Sequence, residues 1–322
     1  MKESGEPPAP VASAPAASGP LSRDSRSLLP PRVRASVDRK IEAGDVYDAH
    51  QLVRTLFFRY MARTEAMQAA ELCRIYGLRF AALGQDALAV DLGMNMLKAI
   101  EASRSADEPT PLTDDQLEQI VELFHACAAA DVKNGVDKYK FINRALKLSR
   151  TSQAPFGHVR LHRAAADAYW KEKRFGSSQG HLIYCRDPET LSQMVRDWQE
   201  VGYLSERPFF WLRLTLILLC LEDVETAEKV ILNGTGENWD SSEVPAPLQL
   251  AYLLVCACKF KSEKLFDLLK QRYHLVLRRD ETFAKYMGEI ERRVIGRVQR
   301  PSGGLASLFS SLMAGMAADD DG

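Results

Sequence analysis

VYDAHQLVRTLFFRYMA, residues 46–62, is the stretch whose reading decides the fold. At 100° per residue, Ala49, Leu52, Val53, Leu56, Phe57 and Tyr60 share one face, the apolar stripe of a helix laid on a core. The opposite face carries Tyr47, His50, Gln51, Arg54 and Phe58, where a surface helix ordinarily presents Lys, Glu and Gln. Two explanations are open. In a stack of helices, the second face packs on a neighbour. Otherwise it is a binding face, because Tyr and Arg are enriched where protein partners bind most tightly.

Outward from this stretch, heptad-like apolar spacing recurs and strand-like alternation is scarce. Breaks fall at Gly44, Gly84 and Gly135 and near Arg174, Asp223 and Lys261. Their separation, roughly 40 to 50 residues, is that of one helical hairpin in repeat proteins. Small residues follow several breaks by four or five positions (Ala49, Ala89, Ser178, Ala227), where two helices approach closely. The spacing predicts an all-α chain, an α-solenoid of degenerate TPR-like helical hairpins. An irregular helical bundle is the competing arrangement. Thr113 with Gln116 forms a capping box. Asp187 before Pro188 opens another helix, which Gly202 closes.

Four regions result. Residues 1–31, with seven prolines, bury too little apolar surface to offset ordering and read as a disordered tail. Residues 32–175 and 176–300 are the two halves of the solenoid, and 301–322 are an amphipathic segment with an acidic end. Residues 102–115 form an internal linker, and the long loop 233–247 carries Trp239. In the last region Leu305, Leu308, Phe309, Leu312, Met313 and Met316 follow helical spacing. That segment can dock back on the solenoid, lie in a partner's groove or meet a membrane. The absence of Lys and Arg on it, and the three acids that follow, make the membrane the weakest of these.

Bulk properties exclude several classes. The net charge of −1 on 322 residues demands no polyanionic partner. The longest apolar run, residues 209–221, carries Arg213 and is too short to span a bilayer. Six scattered cysteines, none in a Cys-x-x-Cys pair, fit reduced thiols in the cytosol. No nucleotide loop or nucleophile elbow is present. His158 and His162 lie i, i+4 with His181 as a conceivable third metal ligand, but they do not make His-Glu-x-x-His, and packing or hydrogen bonding is the expected role. No cofactor, metal or catalytic group is expected. Residues 138–174 hold ten Lys/Arg and two acids, while 101–131 hold eight acids and one Arg. Such segregation steers charged partners or neutralises locally across the solenoid. A nucleic-acid-binding helical repeat using 138–174 is the alternative function.

VYDAHQLVRTLFFRYM closely resembles the first helical repeat of the Golgi-to-ER traffic protein 4 family, whose members are also known as a subunit of the transmembrane-domain recognition complex. FINRALKLS, GHVRLH and YWKEKRF resemble the middle of that family, and LRRDETFAKYMGEI and GGLASLFSSLM its end. The resemblance runs from about residue 40 to about residue 316 in preserved order. It implies a non-enzymatic cytosolic scaffold in the guided entry of tail-anchored membrane proteins. The N-terminal half would bind the targeting ATPase. The C-terminal half would bind a ubiquitin-like-domain subunit or a BAG-type chaperone subunit. Neither nucleic acid nor stable membrane insertion is implied. Carried over by motif, the ATPase-facing residues are Tyr47, His50, Arg54 and Arg59, and Asp91 matches an acidic position linked to regulating the ATPase. Lys98, two helical turns beyond Asp91, stands where the family carries an acid, which puts the regulatory role in doubt.

Overall fold

The structure is a computed structural model that describes residues 30–104, 110–129, 136–235 and 244–296. The proline-rich tail to residue 29, the break at Gly135, Trp239 with most of its loop, and the C-terminal amphipathic segment lie outside the described residues. Within them there is no strand. The first seven helices are α1 (Pro31–Glu42), α2 (Val46–Ala62), α3 (Ala66–Ala82), α4 (Asp86–Ala102), α5 (Asp114–Ala129), α6 (Val136–Leu148) and α7 (Val159–Lys171). Then come α8 (Phe175–Leu182), α9 (Pro188–Val201), α10 (Arg207–Cys220), α11 (Val224–Thr235) and α12 (Ala246–Lys259). The chain ends with α13 (Glu263–Arg272), α14 (His274–Leu277), α15 (Glu281–Ile290) and a π-helical turn, Glu291–Ile295. None of the described helices is long and apolar enough to cross a membrane. Helix α1 starts at Pro31, one residue inside the expected tail, because proline at the first helical position lacks only an N–H that would have no partner there.

The repeat is written in the turns. At Gly44, Thr64, Gly84, Lys173, Glu222 and Lys261 the backbone enters the left-handed region. Each of these residues donates its N–H to the carbonyl three residues back. The next residue donates to the carbonyl five back, with all twelve bonds at 2.9–3.1 Å. These are Schellman caps, which satisfy the last carbonyls of one helix and launch the next. Five positions after the left-handed residue the chain meets its neighbour. Ala49, Ala69, Ala89, Ser178 and Ala227 occupy that position and are fully buried. The Ser178 hydroxyl donates to the Ala166 carbonyl at 3.0 Å, so even the polar member is satisfied. Thr64 is a break the sequence reading passes over, because a β-branched residue is disfavoured at positive φ.

Successive helices pack on their next and next-but-one neighbours from α2 to α7, as in a solenoid. Gly77 and Gly93 permit the closest approach. A Cβ on Gly93 would meet the Phe141 ring at 3.1 Å, and one on Gly77 would meet Leu123 at 3.0 Å. The other predicted ends form as expected. Thr113 and Gln116 exchange side chain-to-backbone bonds at 3.1 and 3.2 Å, and Asp187 caps α9 through the Thr190 N–H at 3.1 Å.

The apolar core divides in two. One cluster runs from Val37 to Tyr169 and the other from Ala166 to Ile295. Helix α7 serves both: Leu161, Ala164, Ala165, Ala168 and Tyr169 face the first cluster and Ala166 the second. In the second cluster α10 is central and packs against α9, α11, α12, α15 and the π-helical turn. Nine of its residues, Trp211 to Cys220 apart from Arg213, are buried, each large aliphatic one contributing about 2 kcal/mol. The apolar run with an arginine in it is therefore a core helix. Four cysteines are buried, Cys185 and Cys256 are half-buried, and all six are free thiols.

Candidate functional site

Three of the five carried-over residues, His50, Arg54 and Asp91, meet where α2 packs on α4, and a fourth, Tyr47, lies on the same side of α2 as Arg54. On α2, Tyr47 and Phe58 remain 67% and 56% exposed. Arg54 lies between them along the same side of the helix, giving a stripe about 16 Å long from Tyr47 to Phe58 at 1.5 Å per residue. Helix α4 brings up Asp91. Its Oδ2 lies 3.7 Å from Arg54 Nε and 3.0 Å from His50 Nε2, and Asn95 Nδ2 approaches it at 3.4 Å. Lys98 then donates to Asn95 Oδ1 at 3.1 Å. Lys98 is thus tied into the same chain of contacts through an amide.

His50 does not lie on the outer face where the helical wheel puts it. It is 3% exposed, turned between α2 and α4, with its ring edge-on to Phe80 at 5.9 Å. Burial lowers its pKa and outweighs the opposing pull of Asp91. The ring is therefore neutral at neutral pH, and it reaches Asp91 by a hydrogen bond, not an ion pair. Its Nδ1 is buried without a partner among the described residues, so Nε2 carries the proton and donates. His50 and Arg54 hold one carboxylate from two sides, which fixes Asp91 and keeps Arg54 extended along the surface. Arg59 is exposed but sits about 140° around α2 from Arg54, off this stripe. The site offers a cation flanked by two aromatic rings, with an anchored carboxylate behind it.

Two other histidines, His162 and His181, form a second polar cluster at the junction of the two cores. His162 and His181 meet Nδ1 to Nδ1 at 3.0 Å, and His162 Nε2 donates to the Phe156 carbonyl at 3.2 Å. That fixes the tautomers: His162 Nδ1 accepts, and His181 Nδ1–H donates. Tyr184 lies against His162 at 4.5 Å and Tyr169 is stacked on His181 at 5.6 Å. Burial pushes the pKa values down to about 4 for His162 and about 3 for His181. Both rings are neutral structural partners. His158 is elsewhere, capping α7 by accepting the Arg160 N–H at 3.3 Å. Among the described residues no group of three His, Cys, Asp or Glu is arranged to hold a metal.

The basic segment is matched by acids. Arg144 pairs with Glu101 and Lys138 with Glu172, Arg160 lies 3.1 Å from Asp114, and Arg163 bridges Asp167 and Asp187 at 3.1 and 3.0 Å. Two of these partners, Glu101 and Asp114, belong to the acidic stretch, so part of the segregation read from the sequence closes locally across neighbouring helices. Tyr139 and Tyr169 are stacked at 3.9 Å and buried, with Arg174 over both rings. They are not free to stack bases.

Sequence reasoning missed one concave feature, a cleft of about 270 Å³ lined by Trp198, Phe209, Phe210, Arg213, Arg279 and Phe283 among others. Its signal was Arg213 in the middle of an apolar run.

Among known proteins, a family model described as Golgi to ER traffic protein 4 matches residues 63–313. The Golgi to ER traffic protein 4 homolog of Oryzias latipes is 32% identical over 300 residues, covering 90% of each chain. That of Homo sapiens is 30% identical over 300 residues, covering 90% of this chain and 89% of its own. Spans of that length cannot leave out α2. The crystal structure of C. therm. Get4 is similar in fold, with a TM-score of 0.69 at 19% identity, covering 87% of this chain and 94% of that one.

Proposed function

Because the chain belongs to the Golgi to ER traffic protein 4 family, we propose that it is a non-enzymatic scaffold in the targeting of tail-anchored membrane proteins, working in the cytosol between two partners. The N-terminal half, residues 32–175, takes the targeting ATPase. The C-terminal half, residues 176–300, takes a ubiquitin-like-domain subunit or a BAG-type chaperone subunit. Holding both at once brings a client-loaded co-chaperone to the ATPase and favours handover of the transmembrane segment.

One observation carries the N-terminal assignment. Of the residues singled out by family motif, Asp91 on α4 closes onto His50 and Arg54 on α2, with Tyr47 exposed along the same side of α2 as Arg54. In this reading Tyr47 and Arg54 touch the ATPase, with Phe58 beside them. His50 acts from beneath by positioning Asp91. Asp91, with part of its side chain exposed, is the group that a basic region of the ATPase would meet. Lys98, linked to it through Asn95, makes this face less acidic than the family pattern, so we assign the anchoring contact to the ATPase and a weaker regulatory one. Arg59, off the stripe, contributes at most at the edge.

The test separates the two ends. Full-length protein and the Arg54→Glu variant are used to capture partners from cytosol of the source organism. The variant is expected to lose the ATPase, with affinity down about tenfold or more, while keeping the C-terminal subunit and its helical content. Normal ATPase capture by the variant would reject the α2–α4 face. Recovery of neither partner by the full-length protein would reject the scaffold.

A further inference from the structure

The C-terminal half carries an aromatic cleft away from the α2–α4 face. Its walls come from α9, α10, α15 and the turn before α15. Trp198 is stacked on Phe210 at 4.7 Å and Phe209 on Phe283 at 6.3 Å. Arg279 lies over Phe209 and Arg213 over Phe283, each at 5.9 Å. Arg213 is paired with Asp280, whereas Arg279 is exposed and has no carboxylate partner among the described residues. Between Trp198 and Phe209, the residues Val201, Tyr203 and Leu204 are 62%, 77% and 76% exposed. A concave aromatic floor edged by the exposed Arg279 and Glu206, with three exposed apolar residues in the adjoining turn, makes a surface that is costly to leave in water.

We propose that this cleft is the seat of the chain's own C-terminal segment, residues 305–316. Three observations select that occupant. The first is reach. From Phe283 to Gly296 the chain is helical, so the two are about 20 Å apart at most. The nine steps from Gly296 to Leu305 span up to about 30 Å. The second is chemistry. Leu305, Leu308, Phe309, Leu312, Met313 and Met316 supply large apolar groups at one spacing, and the twelve residues 305–316 carry no charge to desolvate. Methionine and leucine adapt to an aromatic floor of irregular outline. The third is polarity. Asp319, Asp320 and Asp321 follow within five residues of Met316 and complement Arg279. Tethering keeps the segment at an effective concentration in the millimolar range, so a weak contact is enough to hold it. A segment seated there covers part of the C-terminal half and must leave before any partner can use the same floor.

The experiment uses the full chain with a photo-reactive benzoylphenylalanine in place of Phe309. Irradiation is expected to join residue 309 to the 198–213 or 279–283 stretch within a single chain, and Arg279→Glu should reduce the yield. Cross-links between two chains, cross-links to other helices, or none at all would each overturn the proposal. Independently, Phe309→Asp in the full chain should raise amide hydrogen exchange across Tyr203–Arg213 by roughly fivefold or more. Unchanged exchange would also overturn it.

Discussion

From α2 to α5 each helix leans on the next two, whereas from α9 to the π-helical turn nearly everything leans on α10. The first arrangement is additive. Its helices α2, α3 and α4 are each 17 residues long, joined by one turn geometry, with Ala or Gly wherever two of them come close. Regularity leaves the outer face of the first hairpin uncovered, and the polar site stands there. The second arrangement is centred. One long aliphatic helix is enclosed by five elements, and where they fail to close around it, aromatic rings line a cleft. Both halves are all-helical and buried to similar depth. What differs is whether a core is built by repetition or by enclosure, and that decides whether the exposed feature is a polar stripe or an apolar hollow.

The largest effect should come where the two cores meet. His162 and His181 have pKa values lowered to about 4 and about 3, against about 6.5 for an unfolded chain. Below pH 6.5 the unfolded state binds more protons, so stability falls with pH until the folded pair itself titrates. Above pH 6.5 their contribution to stability is complete. Each ring removes about 1.4 kcal/mol per pH unit, up to about 4 kcal/mol for the pair between pH 6.5 and 5. His50, His125 and His158 are shifted the same way by burial and add to the slope. Denaturant midpoints measured from pH 7.5 to 5 should drop steeply, and a flat profile would mean that the imidazoles are not buried neutral.

Next in size is a perturbation confined to the enclosed core. A Cβ on Gly234 would sit 2.6 Å from the Trp211 ring, and Trp211 is 2% exposed on the central helix. Gly234→Ala should cost about 2 to 3 kcal/mol through overpacking. Hydrogen exchange should rise throughout α9–α15 and stay unchanged in α2–α4. Loosening limited to α11 would show that α10 is not the hub described above.

Smaller still are changes in the turns. Thr64 and Glu222 hold φ of 61° and 62°, a conformation that costs a non-glycine residue about 1 kcal/mol. Thr64→Gly and Glu222→Gly should each stabilise the protein by roughly that amount, less a few tenths for added chain entropy. Equal gains in the two halves would mean that the shared turn outlasts the change in packing style. A gain in only one would mean that the second half has strained the cap elsewhere. The smallest effect is expected at Arg144–Glu101, a pair about half exposed on both sides. Arg144→Gln should shift stability by about 0.5 kcal/mol or less; a larger loss would mean that the pairs across neighbouring helices help to hold the first arrangement together.

How much of this was legible before the structure varies by residue, for physical reasons. The breaks at Gly44 and Gly84 were plain because glycine marks the left-handed position. Those near Arg174, Asp223 and Lys261 were found from spacing, and each lies within one residue of the left-handed turn. Thr64 hid because its cap is made of backbone hydrogen bonds alone, and its side chain argues against the conformation it adopts. The exposure of Tyr47 and Phe58 followed from the helical wheel. The burial of His50 did not, because it depends on α4 covering that quarter of α2, a relation between positions 41 residues apart. The same separation concealed the fact that Asp91 closes onto His50 and Arg54. The aromatic cleft was unreadable for another reason: Phe209, Phe210 and Phe283 satisfy an apolar pattern whether a neighbour covers them or not.

The sharing of α7 between the cores also orders events in time. Among the described residues the first cluster has its last apolar member at Tyr169, so its apolar side chains are all synthesised before α8. A chain emerging from the ribosome N-terminus first can assemble that half helix by helix, each docking on one already in place. The second half has no such schedule. Helix α10 remains partly uncovered until α15 and Ile295 have been made, more than 70 residues after its own last turn. The α2–α4 face therefore exists as a finished surface while the most apolar helix of the molecule is still waiting for its cover. That interval is when a nascent chain most needs protection from aggregation.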